Sequence, residues 1–262
     1  MASQITLEQK FMKLLNPEPE FPNLQPKIQR VAEYLRKREN FEKHYTPKLV
    51  SIGPIHHENA NLKLGEKYKL IWAAKYIENA GLNPHNLHKK IANNIVVLKR
   101  DFADDVLALT GTKESLEGFT SLEEKLSWML FVDGCSLLHI LEHVNLTEPE
   151  TMNIKVDQLV LVLMDVLLLE NQLPYLVLKL LWKNANDDSE LINTMKKFLK
   201  RCDLWFARKN TRIWGRKIIL IEPDDYEYNI HFFGDSGPTH LLDLQRTLVL
   251  GKSFHKVQIK LL

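Results

Sequence analysis

His139-Ile140-Leu141-Glu142-His143 has the form H-x-x-E-H, the residue types of an inverted zinc-protease signature. On a helix the two histidines stand one turn apart on one face, so both could ligate a metal while Glu142 acts as general base. The pattern fixes only three residues, and no third ligand follows at a defined spacing; Glu222 and Glu227 are merely available. A packed or solvated helix end is the simpler reading. His56 and His57 are adjacent, and neighbours in an extended segment point to opposite sides, which makes them a poor chelating pair. One is expected to pack and the other to be solvated. Cys135 follows Asp133-Gly134 on an apolar helix and reads as a small core residue. Lys196 to Lys217 holds nine Lys and Arg against one acid, Asp203, interleaved with Trp205, Phe206 and Trp214. Such a stretch can bind phosphates and stack bases, but the acidic run Asp224–Glu227 follows directly and is placed to neutralise it. No P-loop, dinucleotide fingerprint or G-x-S-x-G is present. No catalytic, cofactor-binding or metal-binding residue is assigned, and no cofactor is implied.

A second group of polar residues lies in the most apolar part of the chain, Leu159 to Leu181. Asp165 and Glu170 are embedded there, followed by Asn171, Gln172 and Pro174. Buried polar groups left unpaired cost about 1–3 kcal/mol each, so this cluster must have specific partners and must fix where its neighbours go. Glu170 is expected to be buried and to accept from backbone donors near the start of the following helix, where the dipole favours negative charge. The 23 residues are long enough to cross a bilayer. Each charge near a bilayer centre would cost about 2.5–3.5 kcal/mol, however, and Asp165, Glu170 and Lys179 interrupt the run. Helices buried in protein are the better account.

The elements that position these groups read as mainly α: a multi-helix globular domain with a few short strands or extended segments. Residues 1–26 form an N-terminal lead-in, with an amphipathic opening (Ile5, Leu7, Phe11, Leu14, Leu15) and then four prolines that forbid regular helix. Residues 27–250 form a single helical domain and 251–262 a tail. Leu49, Val50 and Ile52 read as an extended piece packed on the core, followed by turn punctuation at Gly53-Pro54. Helical periodicity covers Leu64 to Ala80, with Leu64, Tyr68, Ile71, Trp72, Lys75 and Tyr76 as its apolar stripe, and a weaker helix covers His88 to Leu109. Ser121 with Glu124 has capping-box form and opens a helix to Val144, with a kink or break possible at Gly134. Residues 157–172 read as a helix buried on every side, and Pro174 opens the next, to Trp182. Glu190 to Phe206 and Thr239 to Leu250 are helical, Ile218 to Ile221 a strand, Asp224 to Tyr228 a loop.

Composition bounds the function class. Hydrophobic residues at 45% and charged residues at 26% are ordinary for a globular protein, and a net charge of +2 implies neither nucleic acid nor membrane as partner. Two cysteines make no disulfide framework and suit a reducing compartment. The N-terminus has no secretory pattern. The expectation is a soluble intracellular protein, cytoplasmic or nuclear, with the acceptor Asn145-Leu146-Thr147 unglycosylated.

Several short motifs appear in a fixed order: Ile28, Arg30 and Val31; Leu35-Arg36; Asn40; Tyr45 with Pro47; V-S-I-G-P from Val50 to Pro54; His56-His57; Asp133-Gly134-Cys135; L-L-L-E-N-Q-L-P from Leu167 to Pro174; and H-L-L-D-L from His240 to Leu244. This order resembles the plant family called domain of unknown function 247, an uncharacterised protein family. Ala32, Ile55, Glu58 and Ser136 depart from residues usual in that family. Its members continue for a long C-terminal half that commonly ends in a transmembrane helix, so this chain resembles a short or C-terminally truncated member without that anchor. The resemblance implies a mainly helical plant protein with no established catalytic mechanism, associated with reproductive traits such as self-incompatibility and suppression of female organs (sex determination). The expected function is therefore non-enzymatic regulation or recognition through an unknown protein partner. The competing classes are a zinc-dependent hydrolase built on His139, Glu142 and His143 and a nucleic-acid binder using Lys196–Lys217.

Overall fold

The structure, a computed structural model, describes residues 6–15, 28–111, 116, 118–145, 147–184, 187–214 and 237–259. Its helices are α1 (Leu7–Leu15), α2 (Glu33–Arg36), α3 (Phe41–Tyr45), α4 (Lys63–Asn79), α5 (Pro84–Asn93), α6 (Ile95–Lys99), α7 (Asp104–Leu107), α8 (Leu122–His143), α9 (Val156–Val166), α10 (Tyr175–Leu181), α11 (Asp188–Trp214) and α12 (Leu241–Ile259). The fold is mainly α, as the periodicity predicts. Among the described residues there is no strand, only one parallel bridge between Ile28 and Phe102. The expected strand Ile218–Ile221 and the loop Asp224–Tyr228 lie outside the described residues, as do Glu222 and Glu227.

The central element is α8. Every residue from Lys125 to Leu141 is buried except Trp128, because α4, α5, α10 and α11 all pack around it. The helix runs through Gly134 without a break. An added Cβ at Gly134 would stand 2.4 Å from Leu181 Cδ1 and 2.9 Å from Val177 Cγ1, so this glycine lets α10 approach rather than bending α8. At the N-terminus Ser121 Oγ accepts from the Glu124 N–H at 3.1 Å, as a cap should. The reciprocal half of the box is replaced: Glu124 accepts from the Thr120 N–H and hydroxyl instead, both at 2.6 Å.

Three sequence expectations need correction. The buried stripe of α4 is Gly65, Lys69, Trp72, Ala73 and Tyr76, while Leu64 and Ile71 face outward, 46% and 40% exposed. The stripe turns this way because Gly65 must face Leu49: a Cβ there would lie 1.8 Å from the Leu49 carbonyl oxygen. The weak helix over His88–Leu109 is three short helices, broken at Asn94 and at the extended Ala103 where Ile28 bonds the chain. Finally, α9 ends at Val166, six residues before the expected end at 172. Its last carbonyls are met by side chains beyond it. Asn171 Nδ2 donates to the Asp165 oxygen at 2.9 Å, and Gln172 Nε2 to those of Val166 and Leu168 at 2.9 and 2.8 Å. Helix ends leave such carbonyls without partners, and these amides close this one.

Candidate functional site

The polar residues of the order-bearing motifs converge on one stretch of backbone, Lys48 to Gly53. That stretch is extended and its middle is buried: Val50 is 0% and Ile52 1% exposed. It has no neighbouring strand, so its donors need other acceptors. Asp165 supplies most of them. Its Oδ1 accepts from the Lys48 N–H at 2.9 Å and its Oδ2 from those of Leu49 and Val50 at 2.7 and 2.9 Å. Asn171 Oδ1 then accepts from the Ile52 N–H at 2.6 Å while its Nδ2 donates to the Val50 oxygen at 2.9 Å, as a strand partner would. Asp133, on α8, accepts from the Gly53 N–H at 2.8 Å. Side chains from two distant segments thus replace a sheet ladder.

Beneath this stretch lies a buried ion pair. Lys69 Nζ sits 2.5 Å from Asp133 Oδ1 and 2.9 Å from Glu66 Oε2, and Ser51 Oγ donates to Glu66 at 2.6 Å. Burial pulls the Lys69 ammonium down, but the Asp133 and Glu66 carboxylates outweigh it and hold the lysine charged, above its ordinary range. Burial pushes the Asp133 carboxyl up against the pull of Lys69. With an ammonium on one oxygen and a backbone N–H on the other, we read the pair as ionic. Burial also pushes Asp165 up, opposed by its three backbone donors.

Glu170 is buried, 2% exposed, as expected. Its partners are not those predicted. Oε1 accepts from the Val31 N–H at 2.6 Å, and Oε2 lies 3.4 Å from His56 Nε2. The start of α10 has little to offer it, since Pro174 carries no N–H and the Tyr175 N–H donates to the Thr239 oxygen at 2.8 Å. Burial pushes the Glu170 carboxyl up, but His56, the Val31 N–H and Arg30 together outweigh this and hold it below its usual range. Glu170→Ala is expected to lower stability by about 2–4 kcal/mol by stranding the Val31 donor and the His56–Arg30 pair of cations, whereas exposed Glu78→Ala should change it by less than about 0.5 kcal/mol. Urea midpoints of the two variants check this.

The other sequence candidates fall apart from this network. His56 and His57 are both half-buried, so the expected division into one packed and one solvated ring does not hold. His56 faces Glu170, and His57 is near enough to Asp133 to favour its ionised form. His139 is buried, and its ring stacks on that of His143 with centroids 4.4 Å apart. His143 Nδ1 donates to the His139 carbonyl oxygen at 3.1 Å, and Glu142 pairs with Lys183 at 2.5 Å. Among the described residues no group of three or more His, Cys, Asp or Glu is gathered to hold a metal ion. Cys135 is a buried free thiol, pushed up to about 12 by burial. Most of Lys196–Lys217 lies on α11, and residues 215–217 lie outside the described residues.

Burial, with the nearby His143 and Lys75, pulls His139 down to about 4 from an ordinary 6.5, so the folded chain keeps it neutral. A depressed histidine contributes stability that is present above the unfolded value and lost as pH falls through the folded one. Stability should therefore drop between about pH 6.5 and 4, and His139→Phe should flatten that slope. His240, also pulled down by burial, leaves part of it. Denaturant midpoints measured across this range check the sign.

Sequence reasoning missed Lys69, Asp133 and Asp165 as one system with Lys48–Gly53. The available signal was Lys69 itself, which shares the i, i+4, i+7 spacing of Gly65, Trp72 and Tyr76. A lysine on a buried stripe requires a carboxylate, and Asp133 is the acid inside the apolar helix α8.

No helix among the described residues is long and apolar enough to cross a membrane. Comparison with known proteins places this arrangement. A family model described as a plant protein of unknown function, domain of unknown function 247, matches residues 28–260. An Arabidopsis thaliana UPF0481 protein is 28% identical over 144 residues, covering 53% of this chain and 28% of its own length. A putative UPF0481 protein from the same plant is 30% identical over 137 residues, covering 52% of this chain and 23% of its own. The matched region thus spans about a quarter of those relatives. No solved structure matches. The model match takes in every order-bearing motif from Ile28 to Leu244, including all the side chains that hold Lys48–Gly53, and the chain belongs to this plant family of unknown function.

Proposed function

We propose that the chain is a non-enzymatic regulatory or recognition protein that works through protein contacts inside the cell, in plant reproductive development. The observation that carries this reading is where the motif side chains go. Asp133, Asp165, Glu170, Asn171 and Gln172 are engaged with backbone groups and with one buried lysine, in the work of holding a fold. Large apolar residues, by contrast, stand outward on several elements: Leu7 and Phe11 on α1, Val96 on α6 and Trp128 on α8. Outward aromatic and aliphatic side chains are the material of protein interfaces.

The test is recovery of partners from developing flowers by the intact chain, with the fold-breaking variant Asp165→Ala as control. A protein recovered in stoichiometric amount by the intact chain and lost with the control supports the reading. Recovery of none, together with unaltered floral organs and pollination in plants lacking the gene, would overturn it.

A further inference from the structure

We propose that the face formed by α5, α6 and the start of α8 docks an acidic peptide segment carrying a bulky apolar side chain. This deepens the protein-contact reading and rests on it. Trp128 is the one outward residue in an otherwise buried run of α8, 42% exposed. Its indole is held in place. It meets the His88 ring edge-on with centroids 5.9 Å apart and lies tilted on buried Phe131 at 5.6 Å. His88 is itself fixed: Ser127 Oγ donates to the Glu124 oxygen at 2.8 Å and so accepts from His88 Nε2 at 3.1 Å. A rigid, half-exposed tryptophan loses little freedom when covered, which is the condition for a binding anchor.

Beside it, α6 turns out Val96 and Val97, 60% and 45% exposed. Two links tie this strip to α8, His88 to Ser127 at one end and Lys99 to Glu123 at 2.9 Å at the other. Val96 lies in the chain between them, so the apolar surface continues from Trp128 along this edge.

The rim is basic. Pro84 to Arg100 contains Lys89, Lys90, Lys99 and Arg100 and no acidic residue. Glu123 neutralises Lys99, and Glu124 is turned back onto Thr120. Lys90 donates to the Leu180 carbonyl oxygen, which leaves its charge uncompensated, and Lys89 and Arg100 are exposed. An apolar centre within three cations is complementary to carboxylates flanking an apolar anchor. Single-stranded nucleic acid would want successive stacking rings, and here valines occupy half of the centre.

The probe is a fluorescently labelled synthetic peptide of aspartate and glutamate around a central leucine-phenylalanine pair, titrated with the full chain. Saturable binding is expected, weakened about tenfold or more by Trp128→Ala, by Val96→Glu and by Lys89→Glu with Arg100→Glu. Lys200→Glu on α11 should leave it within about twofold, since a lone distant charge is screened. Unchanged denaturation midpoints show that the variants are folded. The proposal is overturned by absence of saturable binding, by equal weakening with Lys200→Glu, by tighter binding of an oligouridine at the same residues, or by self-association that Trp128→Ala abolishes. Failure here with a flower partner still recovered removes this face and keeps the protein-contact reading; loss of that recovery falls on the reading itself.

Discussion

Asp165→Ala is expected to destabilise the chain by on the order of 4–6 kcal/mol, because three buried or half-buried N–H donors would each lose a charged acceptor worth about 1–3 kcal/mol. That is most of the margin of an ordinary domain, about 5–15 kcal/mol, so the variant should be largely unfolded in mild urea. Asp165→Asn keeps the shape and one accepting oxygen but turns an amide toward donors, and should lose roughly half as much. Urea midpoints at neutral pH order the three proteins as native, Asn, Ala. A loss under about 1 kcal/mol for the alanine variant would mean that the Lys48–Val50 donors are met by water and that Asp165 organises nothing.

Lys69→Met comes next in size. It leaves Asp133 as a buried carboxylate without its counter-ion, and breaking a buried pair in this way costs about 3–5 kcal/mol. Adding Asp133→Asn should recover part of that loss, since the amide oxygen still accepts from Gly53 and no charge is stranded. The same pair sets an alkaline limit. Lys69 is held above its ordinary value of 10.5, so its contribution is complete below that value and is lost as pH rises through the folded one. The native chain should lose stability above about pH 10.5 more steeply than the Lys69→Met variant. Parallel slopes would show that the lysine is not paired in the folded state.

Much of this architecture is legible in the chain because helix signals are local. The Ser121 cap, the apolar run of α8 and the proline at the head of α10 each act within a turn or two, and the structure agrees with them. The need to satisfy the polar cluster after Leu159 is also legible, since burial of Glu170, Asn171 and Gln172 without partners would be too costly. Their partners are not. Val31 is 139 positions from Glu170, and Val50 is 115 from Asp165. No periodicity connects such pairs. The expected helix end at 172 failed for the same reason. Leu167 to Gln172 is apolar and helix-compatible by itself, but Asn171 and Gln172 hold the α9 carbonyls and the 48–53 backbone at once, which a continued helix would not allow. The outward turn of Leu64 and Ile71 is likewise set from a distance, by the contact of Gly65 with Leu49. Lys69 broke the usual rule for buried residues, and such a breach is where sequence reading should look for a partner.

The central claim is that side chains of Asp165, Asn171 and Asp133 stand in for a strand beside Lys48–Gly53. Native-state hydrogen exchange, read amide by amide, tests it most directly. The account predicts that the amides of Leu49, Val50, Ile52 and Gly53 exchange only through global unfolding, as slowly as those in the middle of α8, and that Asp165→Asn speeds Leu49 and Val50 before the others. Exchange of these four amides at the rate of an exposed loop, with α8 still protected, would contradict it.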